Sequence, residues 1–296
     1  MRLYTANNLI KSIKNYLKIF CIRTKNCLDI LCGRERVKME KVKVEKVKVI
    51  AIIPSRYASS RFPGKPLVDI CGKPMIWWVY NRAKQAKGIS DVYVATDDER
   101  IMSVCEKNGM NVLMTSAEHK TSTERVFEAA NKVKADLYVV INGDDPLINP
   151  QIISQVIPSY VPNEMYVGNL MTMIDKPSEV VDFTNIKVVT DEESNAIFFS
   201  RSPIPYPKAS LDYEYYKHVG VLIYDYAALK FFSETNVGKN EAIEDINELR
   251  FIDNGIKIKM IKVTSNSLSV DTPKDLDYIR KEIQKDEKNQ CFGLHP

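Results

Sequence analysis

PSRYASSRFPGKPLVDICGKPM, Pro54 to Met75, follows directly on the apolar run VKVIAII of residues 47–53. The run is short and rich in β-formers, so it reads as a buried strand. A strand that empties into a loop punctuated by Gly64, Gly72 and prolines, and carrying Arg56, Arg61, Lys65 and Lys73, is built to hold several negative charges. A nucleoside triphosphate is the expected guest. The loop is not a Walker A sequence, because Gly64-Lys65 is followed by Pro66 and no GxxxxGK[ST] is present, which disfavours a P-loop kinase or ATPase. The bland alternative is a solvated basic loop closing a strand.

Working outward, strand-like runs alternate with helical patterns. DVYVAT (91–96), NVLM (111–114) and LYVVIN (137–142) read as strands, and 74–87, 98–109 and 121–134 have helical length and spacing. That order predicts βαβ units and an α/β fold: a mainly parallel, Rossmann-like sheet with helices on both faces. Ligands of such sheets bind beyond the carboxyl ends of the strands, where the basic loop and the Asn142–Pro146 turn both fall. Farther on, strands are expected at 165–173, 185–191, 196–201, 217–225 and 257–263. Some of these are antiparallel and form a smaller subregion. Helices are expected at 226–233, 242–254 and 273–284, and a disordered tail after Lys285.

The 296 residues, 45% of them hydrophobic, are ample for a sizeable core. Six cysteines show no CxxC pair and no disulfide framework, which suits a reducing cytoplasm. No run reaches the roughly 18–20 apolar residues of a membrane span. Residues 1–48 hold 13 Lys+Arg against 4 Asp+Glu, whereas the remainder holds 29 against 34. The body is therefore mildly acidic, and nucleic-acid binding by a broad basic face is not expected. Within residues 1–46, Leu9, Ile10, Ile13, Leu17 and Phe20 recur at helical spacing among lysines, a short basic amphipathic helix. Three readings of this extension stay open: a weak membrane-surface contact, a partner-binding arm, or sequence upstream of a true start at Met39. The main domain is expected at 47–285 and a tail at 286–296.

Holding a triphosphate demands cations, since two like charges 4 Å apart cost roughly 4 kcal/mol at an effective dielectric of 20. Arg56, Arg61 and Lys65 are the candidates for the β and γ phosphates, where they would neutralise departing pyrophosphate. Asn142-Gly-Asp-Asp-Pro146 and Val270-Asp-Thr-Pro273 supply carboxylates from two distant points of the chain. Mg²⁺ needs only one or two of these beside substrate phosphates. Asp144 also suits a plain turn, and Asp271 a helix cap, but Thr272-Pro273-Lys274-Asp275 already supplies a cap, a first-turn proline and an acidic third residue.

Together these motifs resemble the acidic-sugar cytidylyltransferases, in particular the 3-deoxy-manno-octulosonate (Kdo) cytidylyltransferases, from Val47 to Ile283. The resemblance implies a nucleotidyltransferase sheet, a homodimer, and transfer of CMP from CTP to the anomeric hydroxyl of a 3-deoxy-ulosonic acid, with pyrophosphate released. It implies that Asp144 (QGDEP in the family) and Asp271 hold Mg²⁺, and that the segment His119–Arg125 (H-x-S-G-T-[DE]-R in the family) lines cytidine through Thr123 and Arg125. It further implies that Arg201, in AIFFSRSPIP, meets the sugar carboxylate and that His218, in KHVG, meets sugar hydroxyls or the carboxylate. The chain departs from the family in three places. Ser-Gly becomes Thr121-Ser122, Gln becomes Asn142, and the Glu-Gln pair of ESLEQLR becomes Asn247-Glu248. Asn142 retracts by one carbon, and the amide/acid exchange alters the donor pattern at the sugar. The expected acceptor is therefore Kdo or a close variant such as amino-Kdo, whose amine Glu248 would pair. Activation of a sialic-type sugar or a phosphonate, and a non-catalytic sugar-nucleotide sensor, are the alternatives. Kdo chemistry would place the enzyme in lipopolysaccharide or capsule assembly.

Overall fold

Alternate residues of the first strand feed two different cores. Val49, Ala51 and Ile53 pack on one side of the sheet, while Ile50 and Ile52 pack on the other. This follows from the two-residue period of a strand and from a sequence that is apolar at every position. Leu137, Val139 and Ile141 alternate with Tyr138 and Val140 in the same way.

The computed structural model describes residues 47–58, 62–210, 212–265, 268–270 and 272–291, with side chains to Lys285. Lys46–Pro296 cluster as one compact unit. The expectations for residues 1–46, Arg61, Asp271 and the last five residues lie outside the described part.

The strands are β1 (Val49–Ser55), β2 (Asp69–Ile70), β3 (Lys73–Pro74), β4 (Asp91–Thr96), β5 (Val112–Met114), β6 (Leu137–Ile141), β7 (Val167–Met173), β8 (Lys187–Thr190), β9 (Ala196–Ser200), β10 (Tyr216–Asp225) and β11 (Lys259–Val263). The helices are α1 (Met75–Gln85), α2 (Glu99–Lys107), α3 (Ser122–Lys132), α4 (Pro150–Gln155), α5 (Pro177–Val181), α6 (Tyr226–Glu234), α7 (Lys239–Glu244), α8 (Leu249–Asp253) and α9 (Pro273–Cys291).

The main sheet has the order β11-β7-β10-β6-β1-β4-β5, and β8 and β9 extend it from β10. Strands β6, β1, β4 and β5 are parallel, whereas β10 runs against both β6 and β7. Helices α1, α2 and α4 cover one face, through Ile76, Val79, Ile101, Ile152 and neighbours. Helices α3, α6 and α8 cover the other, through Val126, Leu229, Phe232 and Phe251. The expected mainly parallel sheet, covered on both faces and with an antiparallel subregion, is what the chain forms.

Three differences from the sequence reading have local causes. The helix expected over 242–254 is two helices, because Asp245 adopts a left-handed conformation (φ 53°) that ends α7. The last helix runs on to Cys291 rather than fraying after Lys285, since no glycine or proline interrupts it. The β2–β3 hairpin was not anticipated; Ile70 and Met75 bury there with Val270, Leu276 and Ile279, which docks the start of α9. No helix among the described residues is long and apolar enough to cross a membrane.

Candidate functional site

The basic loop leaves β1 at Ser55, turns, and returns through the single 3₁₀ turn Lys65–Leu67. Gly64 makes the return possible. Its φ is +71°, its amide donates to the Tyr57 carbonyl at 2.9 Å, and a Cβ there would stand 3.1 Å from the Tyr57 ring. The Arg100 guanidinium, from α2, stands over that ring with its central carbon 3.3 Å from the ring centroid.

Lys65 Nζ reaches Asp144 Oδ2 at 2.9 Å, so the loop and the Asn142–Pro146 turn are joined by an ion pair. Asp144 Oδ1 and Asp145 Oδ1 are buried without a hydrogen-bond partner. Burial, reinforced by the charge of Asp144, pushes the Asp145 carboxyl up to about 8. Two buried carboxylate oxygens left without donors fit a hard divalent cation, which prefers oxygen ligands. The Val270 amide donates to the Asp144 carbonyl at 2.8 Å, bringing the Val270–Pro273 segment against this turn. Thr272 and Asp275 form the expected capping box at the head of α9, with Thr272 N donating to Asp275 Oδ2 at 2.8 Å and Asp275 N to Thr272 Oγ1 at 3.3 Å.

Three adjoining clefts meet at Asn142, which borders all of them. The first, of about 350 Å³, is lined by Arg56, His119, Thr123, Arg125, His218, Asn247 and Glu248 among others. The second, of about 250 Å³, holds Arg56, Lys65 and Asp144. The third, of about 460 Å³, holds Asp145, His218, Thr272 and Asp275. Arg56 is exposed, and its side chain makes no hydrogen bond or ion pair among the described residues.

The N-terminus of α3 carries a capping box: Glu124 N donates to Thr121 Oγ1 at 3.2 Å, and Thr121 N to Glu124 Oε2 at 3.3 Å. Within α3, Glu128 accepts from Ser116 N and pairs with His119, both ahead of the helix, and with Lys132. Burial opposes its charge, but these partners together hold Glu128 down at about 2. Arg125 borders the first cleft, yet its Nη1 and Nη2 donate to Thr115 Oγ1 (2.5 Å) and Asp97 Oδ2 (2.8 Å). Asn247 Nδ2 lies 3.5 Å from both Ser122 Oγ and Thr123 Oγ1, tying the α7–α8 connection to α3.

Glu248 is 8% exposed, and its carboxylate makes no hydrogen bond among the described residues. The helices that carry it are clamped by Arg250, whose guanidinium grips both oxygens of Glu241 (2.7 and 2.6 Å). His218 borders the first and third clefts. Burial lowers its pKa, as does the charge of Arg201, while Glu248 and Asp144 pull the other way.

Arg201 is tied to the turn that precedes Asn247. Its Nε, Nη1 and Nη2 donate to the carbonyls of Glu244 (2.7 Å), Phe183 (3.2 Å) and Asp245 (3.0 Å), and it lines none of the three clefts. The described geometry gives it the work of fixing the turn that precedes Asn247.

Sequence reasoning missed Asp97 and Asn169. Asp97 directly follows β4, at the edge where parallel sheets bind, and that position was a usable signal. Asn169 is fully buried inside the apolar strand β7, where a lone amide is itself unusual.

Residues 50–258 match the model of the family described as Cytidylyltransferase. The chain is 43% identical over 230 residues to an 8-amino-3,8-dideoxy-manno-octulosonate cytidylyltransferase of Shewanella piezotolerans, covering 76% of this chain and 94% of that protein. It is 40% identical over 234 residues to a 3-deoxy-manno-octulosonate cytidylyltransferase of Solibacter usitatus, covering 78% and 93%. A solved structure of CMP:2-keto-3-deoxy-manno-octonic acid synthetase complexed with CTP superposes with a TM-score of 0.77 at 37% identity, covering 81% of this chain and 99% of that one. A match spanning most of the sheet and every cleft-forming strand means that the chain belongs to the cytidylyltransferase family.

Proposed function

We propose that this enzyme transfers CMP from CTP to the anomeric hydroxyl of a Kdo-type 3-deoxy-ulosonic acid, giving the CMP-sugar and pyrophosphate. The observation that carries the reading is the Lys65–Asp144 ion pair, set beside the unpartnered Asp144 Oδ1 in a cleft shared with Arg56. The sugar oxygen attacks the α-phosphorus, the bond from that phosphorus to the bridging oxygen of the β-phosphate breaks, and the hydroxyl proton leaves to solvent. Arg56 and Lys65, with Arg61, neutralise the charge that accumulates on the leaving pyrophosphate. Asp144 and Asp271 would hold Mg²⁺, which supplies charge screening and polarisation of the phosphates when bound. Everything else asked of the protein is positioning, with Thr123 and Arg125 at the nucleotide side and Asn142, His218, Asn247 and Glu248 at the sugar side.

Glu248 directs the finer choice of acceptor. A carboxylate that lines a cleft without a protein partner is available to accept from a ligand. The ammonium of an amino-Kdo would donate to it, and the name of the Shewanella relative supports this reading. Arg201 would act on the acceptor site indirectly, through the 244–248 turn. We take residues 47–285 as the catalytic unit, working in the cytoplasm as a homodimer. The exposed aromatics Phe183 and Tyr206 are candidates for a subunit contact, and a single-chain mass by light scattering would remove that assignment.

The deciding assay is pyrophosphate release with CTP and Mg²⁺ and either Kdo or 8-amino-Kdo. The expected result is turnover with a preference for the amino sugar. Absence of pyrophosphate with both sugars sinks the activity, and a preference for plain Kdo sinks the role of Glu248 alone.

A further inference from the structure

The β7–β10 pairing contains an irregularity at the acceptor side of the site. Val219 faces Leu170, but Leu222 faces Asn169, so Gly220 and Val221 bulge out of the ladder. Asn169 fills that bulge. It is fully buried, and its Nδ2 lies 2.9 Å from the Val219 carbonyl and 3.0 Å from the Val221 carbonyl. Carbonyls only accept, so the amide orientation is settled by chemistry: both N–H groups are spent on the bulge, and Oδ1 points the other way.

Asn169 Oδ1 lies 3.3 Å from His218 Nδ1. An amide oxygen cannot donate, so this contact is a hydrogen bond only when Nδ1 carries the proton. The other ring nitrogen, Nε2, is then the bare one, and it has no protein partner among the described residues. Burial also favours a neutral ring.

We propose that Asn169 is a positioning residue for the acceptor site, holding His218 in the Nδ1–H tautomer so that Nε2 serves as a hydrogen-bond acceptor. His218 and Glu248 line the same cleft, and both then present acceptors without a donor. A group that only donates, such as an ammonium on the sugar, satisfies both; a hydroxyl donates one hydrogen and satisfies only one of them. This selection rests on the acceptor reading given above, whereas the tautomer itself does not.

The test uses the full chain labelled with ¹⁵N-histidine and long-range ¹H–¹⁵N correlation at neutral pH. Only three histidines are present, His119, His218 and His295, and His218→Gln assigns its signals by their loss. The expected spectrum of the wild type gives His218 a pyrrole-type Nδ1 and a pyridine-type Nε2. Asn169→Ala should average the two shifts and lower kcat/KM for 8-amino-Kdo on the order of tenfold, leaving KM for CTP unchanged. Asn169→Asp should hold the ring protonated, turn Nε2 into a donor, and lower the same kcat/KM at least as much. A wild-type His218 in the Nε2–H or averaged form overturns the proposal. So does an Asn169→Ala enzyme with an unchanged His218 signature or unchanged acceptor kcat/KM. Should either variant fail to fold, the wild-type spectrum decides alone. Failure of the wild type to turn over any Kdo-type sugar would instead strike the acceptor reading and leave the tautomer result standing.

Discussion

Lys65 Nζ and Asp144 Oδ2, 79 residues apart in sequence, meet at 2.9 Å and join the basic loop after β1 to the turn after β6. Lys65→Met should lower kcat by about 10²–10³, the scale for losing one charge-stabilising group at a reacting centre. Asp144→Asn should cost at least as much, and EDTA should stop the parent enzyme until Mg²⁺ is restored. Steady-state pyrophosphate release reads all three; a Lys65→Met enzyme within a few-fold of the parent would refute the assignment.

Glu248 stands as the unpaired anion of the first cleft. Glu248→Gln should keep the shape and remove the charge, reducing the kcat/KM ratio of 8-amino-Kdo to Kdo by about tenfold, as expected for one charge-assisted hydrogen bond. Competition between the two sugars, followed by mass spectrometry of the CMP-sugars, measures that ratio directly. An unchanged ratio would mean that the amine is read elsewhere.

Gly220 lies against Asn142, and a Cβ on it would stand 2.4 Å from Asn142 Nδ2. Gly220→Ala should therefore displace the residue that borders all three clefts. We expect a loss of about 1–3 kcal/mol in stability from overpacking, together with a fall in kcat/KM larger than the melting shift accounts for. Calorimetry and kinetics on the same preparation separate the two effects.

Asp145 sets a pH dependence whose sign is fixed. Its carboxyl is raised from 3.8 to about 8 by burial and by Asp144, so the folded protein holds this proton more tightly than the unfolded chain does. Its contribution to stability is complete below 3.8 and is lost as the pH rises through about 8. In EDTA, Asp145→Asn should flatten the slope across that window and exceed the parent by a few kcal/mol at its alkaline end. Urea midpoints at a series of pH values test this, and parallel curves for parent and variant would contradict it.

Arg250 and Glu241 form a buried pair, 2% and 6% exposed at the side chain, that spans α7 and α8. Arg250→Met leaves Glu241 charged and alone, and should cost about 3–5 kcal/mol. The double variant with Glu241→Met should recover much of that loss. If it is no more stable than the single variant, packing rather than charge governs this clamp.

Much of this architecture was legible because the signals were local. Uninterrupted apolar runs such as 49–53 and 137–141 can only be strands covered on both faces, and Gly64 with two flanking prolines can only be a turn. The capping boxes at Thr121 and Thr272 were readable from spacing alone. What escaped was decided by contacts between distant segments. Nothing around Arg201 indicates that three carbonyls will occupy its guanidinium, and nothing in EDINELR shows that Asp245 will turn left-handed and split the helix. Asn169 gains its meaning only from a bulge in another strand.

The reversal of β10 has a consequence for how such a site is laid out. Because this strand runs opposite to β6, it is its beginning, not its end, that arrives at the rim where the β1 and β6 loops open. Lys65 and Asp144 thus hang from chain exits, and His218 from a chain entrance. Remodelling of one set can proceed while the other keeps its anchorage, so that, on the proposed reading, a single nucleotide-handling frame would serve sugars of different decoration.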